Sequence, residues 1–272
     1  MVLVQFWISN LLNTKTILFH VVFTVSSVVL SFALGIIISL IYISTMKTLG
    51  KGFFLLMHSI LIGFVILAIL ATSINVVIIF SILVVLISLL FLLALYKEFI
   101  LLKINNMQLQ LVFSIFISFL LILALILEVH NVKNIRNEIL EIFRILIGAL
   151  LLGGSLNAML LGHWYLVQPG LNRMPIKKIC NFLIFVLLIV TLGWLIKPSM
   201  LQVFSGDIND GWNGMLANMW LGSSITSLVI LLMARKALSE KSYSAVMATT
   251  GLLYLVILMV AGVELIPRSI FS

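Results

Sequence analysis

Long apolar runs, separated by short polar connections, occupy nearly the whole chain. A helix needs about 20 such residues to cross the hydrocarbon core of a bilayer. Runs of that kind stand at 16–45, 53–73, 76–96, 108–127, 139–167, 179–196, 214–234 and 244–266. The pattern predicts an all-α, polytopic transmembrane bundle of about eight helices with short loops. Only Thr72, Ser73, Ile74 and Asn75 separate the second run from the third, so these two form a tight hairpin. Val2 to Leu12, with Phe6 and Trp7, is too short to span and reads as an interfacial segment over residues 1–15. Residues 16–272 then make a single domain. The first twelve residues lack the basic stretch and small-residue cleavage site of a signal peptide.

Polar and small residues inside the runs carry further information. In the first, His20, Thr24, Ser27, Ser31, Gly35 and Ser39 follow at spacings of 4, 3, 4, 4 and 4, which gives that helix one face turned away from lipid. Such a face is either a packing seam, with Ser and Thr bonded back to their own helix, or the lining of a cavity. In the fifth run Gly154, Ala158 and Gly162 recur every fourth residue, a stripe that admits a neighbouring backbone at close range. Another face carries Gly153, Asn157, Leu161 and Trp164. Asn157 lies near mid-membrane, where a buried amide needs a partner. The run closes with His163, Trp164 and Tyr165, and Pro169 and Gly170 stop it. Candidate cavity-lining residues are therefore His20, Thr24, Ser27, Ser31, Asn157, Trp164 and Tyr165. The second half holds twelve of the sixteen glycines and four of the five tryptophans, which places any site there sooner than in the Leu/Ile/Val/Phe-rich first half.

Composition agrees with the runs. Hydrophobic residues make up 63% of the chain and charged residues 9%, against about a quarter charged in a soluble domain. Charge then orients the bundle. Lys and Arg are retained on the cytoplasmic side during insertion. The first, third, fifth and seventh connections carry Lys47, Lys51, Lys97, Lys103, Arg173, Lys177, Lys178, Arg235, Lys236 and Lys241. The other side carries Lys15, Lys133, Arg136, Arg144, Lys197 and Arg268, so both termini are expected outside the cytoplasm. Six of the eight acids also fall on that outer side, which assigns the net charge of +8 to the cytoplasmic face. Anionic lipid headgroups of the bilayer are its expected partner, and no nucleic acid, because no soluble basic domain exists. Compact loops and a preference for Lys over Arg, 11 to 5, point to a prokaryotic inner membrane.

The chemistry is sparse. A single cysteine, Cys180, excludes an internal disulfide or a Cys-built metal site. Phosphate loops, H-E-x-x-H metal pairs and G-x-S-x-G elbows are missing, so an enzyme acting alone is not expected. The stretch from Ser205 to Gly211 lacks the acidic spacing of a calcium loop and reads as a turn. Glu128 and Glu264 sit near the outer ends of the fourth and eighth runs; Glu264 is expected either to reach the interface or to pair with Arg268, and Glu128 carries the same ambiguity. No carboxylate is expected at mid-membrane, which argues against coupling through a buried acid.

His58 and His163 fall at similar depths near the cytoplasmic side, about 6 Å inside it for His163 at 1.5 Å per residue. On neighbouring helices with facing rings they would hold a b-type haem, or border a quinone. His20 and His130 suggest a weaker second level. The first functional expectation is therefore a membrane-embedded subunit or anchor of a larger assembly with partner subunits, of the respiratory, haem- or quinone-linked kind. The alternatives are a carrier for a small apolar or amphipathic solute and a purely structural membrane component.

Overall fold

The computed structural model describes residues 25–46, 49–96, 106–132, 138–168, 170–207 and 214–270. The expected segment over residues 1–15, and the candidates His20 and Thr24, lie outside them. All regular structure among the described residues is helical: α1 (Val25–Ser44), α2 (Lys51–Ala71), α3 (Asn75–Tyr96), α4 (Asn106–Val132), α5 (Glu138–Val167), α6 (Met174–Leu195), α7 (Pro198–Ser205), α8 (Met215–Ala237) and α9 (Tyr243–Ile270). Eight of them, all but α7, are long and apolar enough to cross a membrane, and the chain is an integral membrane protein.

The helices alternate between two ends. One, the hairpin end, contains Thr72, the α6–α8 connection and the close of α9. The other, the basic end, contains Lys51, Arg173, Arg235 and Lys241. Helix α6 begins at Met174, earlier than its apolar run, because Pro175 suits the first helical turn and takes Lys177 and Lys178 into the helix. Helix α9 runs through Pro267 to Ile270 instead of stopping before it. The short α7 was not expected. Its signature is Pro198 in the first turn and Gly206, at φ 82°, just past the last.

Packing divides the helices into two groups. In α2–α4 the inward faces carry a 3.5-residue period, such as Val77, Ser81, Val84, Ser88 and Phe91 on α3 and Gln110, Ser114, Ile117, Leu121 and Ala124 on α4, all buried. That spacing suits nearly antiparallel helices with a shallow crossing angle. In the second group α9 packs against both α8 and α5, and α6 packs against α5 and α8. Its loops are tied at the basic end. The Arg173 guanidinium donates to the carbonyls of Glu240, Lys241 and Ser242, and Arg235 Nε donates to Asn181 Oδ1 at 2.8 Å.

Helix α1 stands between the groups. In its most apolar window 61% of residues are buried, as in α5, against 28% in α3 and α8, so α1 and α5 form the centre and α3 and α8 the lipid-facing rim. Phe32 of α1 stacks on Phe64 of α2 at 5.2 Å, and Tyr42 stacks on Phe182 of α6 at 5.3 Å. Against α5 the backbones themselves meet. A methyl group at Gly35 would stand 2.7 Å from the Cα of Gly153, and one at Gly153 would fall on the backbone of Phe32, Gly35 and Ile36. The Gly154–Ala158–Gly162 stripe does not serve one neighbour in this way. Gly154 faces Leu183 of α6, and Gly162 faces Thr250 of α9.

Gly153→Ala should therefore destabilise the protein by about 1–3 kcal/mol through overpacking. Gly251→Ala, with open space around it, should be neutral or stabilising by up to about 1 kcal/mol. Thermal unfolding in detergent of the two variants distinguishes them, and equal melting would contradict the close α1–α5 contact.

Candidate functional site

The face of α1 turned from lipid is engaged along its described length. Near the middle, Asn157 Nδ2 donates to Ser39 Oγ at 2.8 Å, and Ser39 Oγ donates to the Ile36 carbonyl at 2.9 Å. One turn beyond Gly35, Ser31 Oγ donates to the Ser27 carbonyl at 2.7 Å and accepts from Arg268 of α9 at 3.3 and 3.4 Å. Ser31, Gly35 and Ser39 thus form a seam joining α1 to α5 and α9, with Ser27 accepting from Ser31 within α1.

Arg268 introduces a charged cluster. Its guanidinium pairs with Glu264 Oε2 at 3.3 Å, one helical turn back on α9, where side-chain exposure is 13% for the arginine and 5% for the glutamate. Of the two expectations for Glu264, the structure shows the pairing with Arg268, and the carboxylate is buried away from the interface. The Glu264 carboxylate lies on Gly148 of α5, where a side chain would overlap it. Glu264 is six residues from the end of α9, about 9 Å at 1.5 Å per residue. The Arg144 guanidinium stands 4.4 Å from the centroid of the Trp194 ring and Lys197 Nζ stands 5.0 Å from it. Cation–π attraction strengthens when such a contact is screened from water.

Glu128 is likewise buried, with no exposed surface, correcting its interfacial reading. Thr72 Oγ1, at the end of α2, donates to Glu128 Oε2 at 2.9 Å. The Ser26 hydroxyl of α1 lies beside the same carboxylate. Two buried acids therefore flank α1, Glu128 on the α2–α4 side and Glu264 on the α5–α9 side. Both lie toward the hairpin end.

The histidines do not share an environment. His58 is fully buried, and its ring centroid is 4.4 Å from that of Phe91. The Gln110 side chain stands beside the imidazole, yet neither ring nitrogen nor Gln110 Oε1 makes a hydrogen bond, while Gln110 Nε2 donates to Ser114 Oγ at 2.7 Å. His163 is exposed on α5. A haem between them would need a flat slot with both rings directed at one iron. Phe91 occupies one face of His58, and His163 lies at the surface, so this arrangement does not fit a haem. His130 belongs to α4, but its side chain is outside the described residues. No group of three His, Cys, Asp or Glu side chains among the described residues is arranged to hold a metal ion.

The remaining candidates are packing residues at the basic end. Trp164 rests on Phe53, with ring centroids 5.9 Å apart, and next to Gly52 of α2. The Tyr165 hydroxyl donates to the Asn172 carbonyl. Sequence reasoning missed Gly148, Thr72 and Ser26 as contacts of the acids. The available signal was an acid within reach of an apolar run and a serine or glycine at similar depth on another. Comparison with protein-family models, curated proteins and solved structures finds no match.

Removing one member of the Glu264–Arg268 pair leaves the other charge poorly compensated, at a cost of about 3–5 kcal/mol when a pair is buried. Glu264→Gln and Arg268→Met should each melt well below the parent, and the double variant should recover part of the loss. Thermal unfolding of the four proteins measures this coupling, and additive losses would show that the pair contributes nothing as a pair.

Proposed function

We propose that the chain is a membrane carrier for a small amphipathic solute, working through relative motion of the α2–α4 and α5–α9 groups about α1. The observation that carries this reading is the pair of buried acids on opposite sides of α1. Ionisable side chains within membrane-spanning helices are costly to retain and mark substrate or ion pathways more often than they serve packing. Sparse direct contact between the groups, through α4 with α5 and α2 with α5, supports motion between them. The inner membrane of a prokaryote is the location we infer from the compact loops and charge bias, with the basic end toward the cytoplasm and the termini outside.

A membrane-embedded subunit with partner proteins is the second reading. The closed α1–α5 seam favours it, because residues that would line a path are bonded across helices instead. In this form the protein would be rigid and its chemistry would be supplied by partners, including any quinone or haem.

Alternating access separates these readings. Spin labels at Leu90→Cys on α3 and Met233→Cys on α8, both exposed, can be introduced after Cys180→Ala removes the only native cysteine. In lipid nanodiscs a carrier should show two distance populations. One narrow population would overturn the carrier reading and favour the subunit.

A further inference from the structure

At the basic end two arginines are bound in opposite ways. Arg173, just before α6, donates through both terminal nitrogens to three carbonyls of the α8–α9 connection and is consumed as a tie between loops. Arg235, two residues before the end of α8, makes one hydrogen bond among the described residues, from Nε to Asn181 Oδ1 of α6 at 2.8 Å. A guanidinium carries its donors in a planar fork. The bond through Nε fixes that plane and leaves both terminal nitrogens unused by the protein.

The neighbouring side chains add charge without neutralising it. Lys178 and Lys177 stand three and four residues before Asn181 on α6, so they share its face one turn closer to the helix start. Lys236 follows Arg235 on α8, which packs against α6. Lys178 and Lys236 are exposed, and Lys177 and Arg235 are half-buried. Among the described residues none of the four pairs with a carboxylate. Glu240 is the only acid in the stretches 170–181 and 232–244, and it forms no ion pair. Clustered charge of one sign concentrates the opposite charge beside it.

Depth and apolar surroundings narrow the class of anion. Asn181 is seven residues into α6, about 10 Å at 1.5 Å per residue, so the fork lies alongside the helices and not in the loops beyond them. Toward the bilayer centre the same faces turn apolar. Phe185 and Leu188, four and seven residues after Asn181, and Leu232, three before Arg235, are exposed. An acceptor for the fork is therefore a phosphate that continues into hydrocarbon. A zwitterionic head would bring its own ammonium against four cations, whereas an anionic head would not.

We propose that the α6–α8 junction at the basic end binds one anionic phospholipid, its phosphate held by Arg235 with Lys178 and its chains over Phe185, Leu188 and Leu232. Asn181 is a positioning residue, which directs the fork and adds no charge. Attraction of a basic membrane face for anionic headgroups is general and has no preferred place; the Asn181–Arg235 bond supplies one. The site serves a carrier and a rigid subunit alike, so it rests on neither functional reading.

Native mass spectrometry of the full-length protein in detergent, titrated with phosphatidylglycerol or phosphatidylcholine, tests this. The first phosphatidylglycerol should bind about tenfold tighter than phosphatidylcholine, the scale of one charged hydrogen-bonded contact. Arg235→Lys keeps the charge but loses the fork, and should raise that first Kd about tenfold. Asn181→Ala changes no charge and should raise it about threefold or more through the released fork. Lys241→Ala removes a charge from the adjacent loop and should leave it within about twofold, as for an exposed charge. Equal binding of the two lipids would overturn the proposal. Matching losses in Arg235→Lys and Lys241→Ala, or unchanged affinity in both Arg235→Lys and Asn181→Ala, would show diffuse surface attraction and overturn it as well. Displacement of the lipid by an equal concentration of glycerol 3-phosphate would identify a site for free phosphate instead. If Arg235→Lys does not fold, Asn181→Ala and Lys178→Ala decide, and unchanged affinity in both rejects the site.

Discussion

The backbone contact between α1 and α5 is the constraint on which the other central contacts depend. Lipid offers little hydrophobic incentive for helices to associate, so close van der Waals packing and interhelical hydrogen bonds must hold them together. Gly35 and Gly153 supply the first, and Asn157 with Ser39 supplies the second. Once the two axes are this close, Ser31 is brought to Arg268 and Gly148 leaves room for Glu264. The charged cluster is thus downstream of the glycine contact.

The same contact sets the asymmetry of the bundle. Helix α1 meets α5 through bare backbone but meets α2 through the larger rings of Phe32 and Phe64. Glycine surfaces interlock at short range, whereas an aromatic stack tolerates sliding with less loss of contact. Arg173 further fastens the α5–α6 and α8–α9 connections to one another. Taken together, these contacts hold α1 more closely to the α5–α9 group and leave its α2–α4 side the more yielding boundary.

The spans were legible in the sequence because a bilayer imposes a minimum length on each apolar run. The turned-in face of α1 was legible too, since Ser27, Ser31, Gly35 and Ser39 keep helical spacing. Its partner was not, because periodicity describes one helix and says nothing about which surface lies opposite. Gly154, Ala158 and Gly162 made the more regular stripe, yet Gly153 meets α1. The pairing of Glu264 with Arg268 was legible, but the burial of Glu128 and Glu264 was not, for a related reason. An acid near the close of an apolar run reaches water unless another helix covers it, and coverage depends on Thr72, Ser26 and Gly148 in distant parts of the chain. The expected histidine pairing failed to form a common environment because equal depth does not make two rings face each other.

The position of α1 also bears on biogenesis. It precedes every helix that completes its polar face: Asn157 lies 118 residues after Ser39, and Arg268 lies 237 residues after Ser31. At roughly 5–20 residues per second of synthesis, the wait for Arg268 is on the order of 10–50 s. During that interval the serines can bond only to their own backbone, to water or to a transient neighbour. The centre of the finished bundle is consequently assembled around a helix made well before its partners, and a chaperone or insertase that shields α1 would act before those neighbours exist.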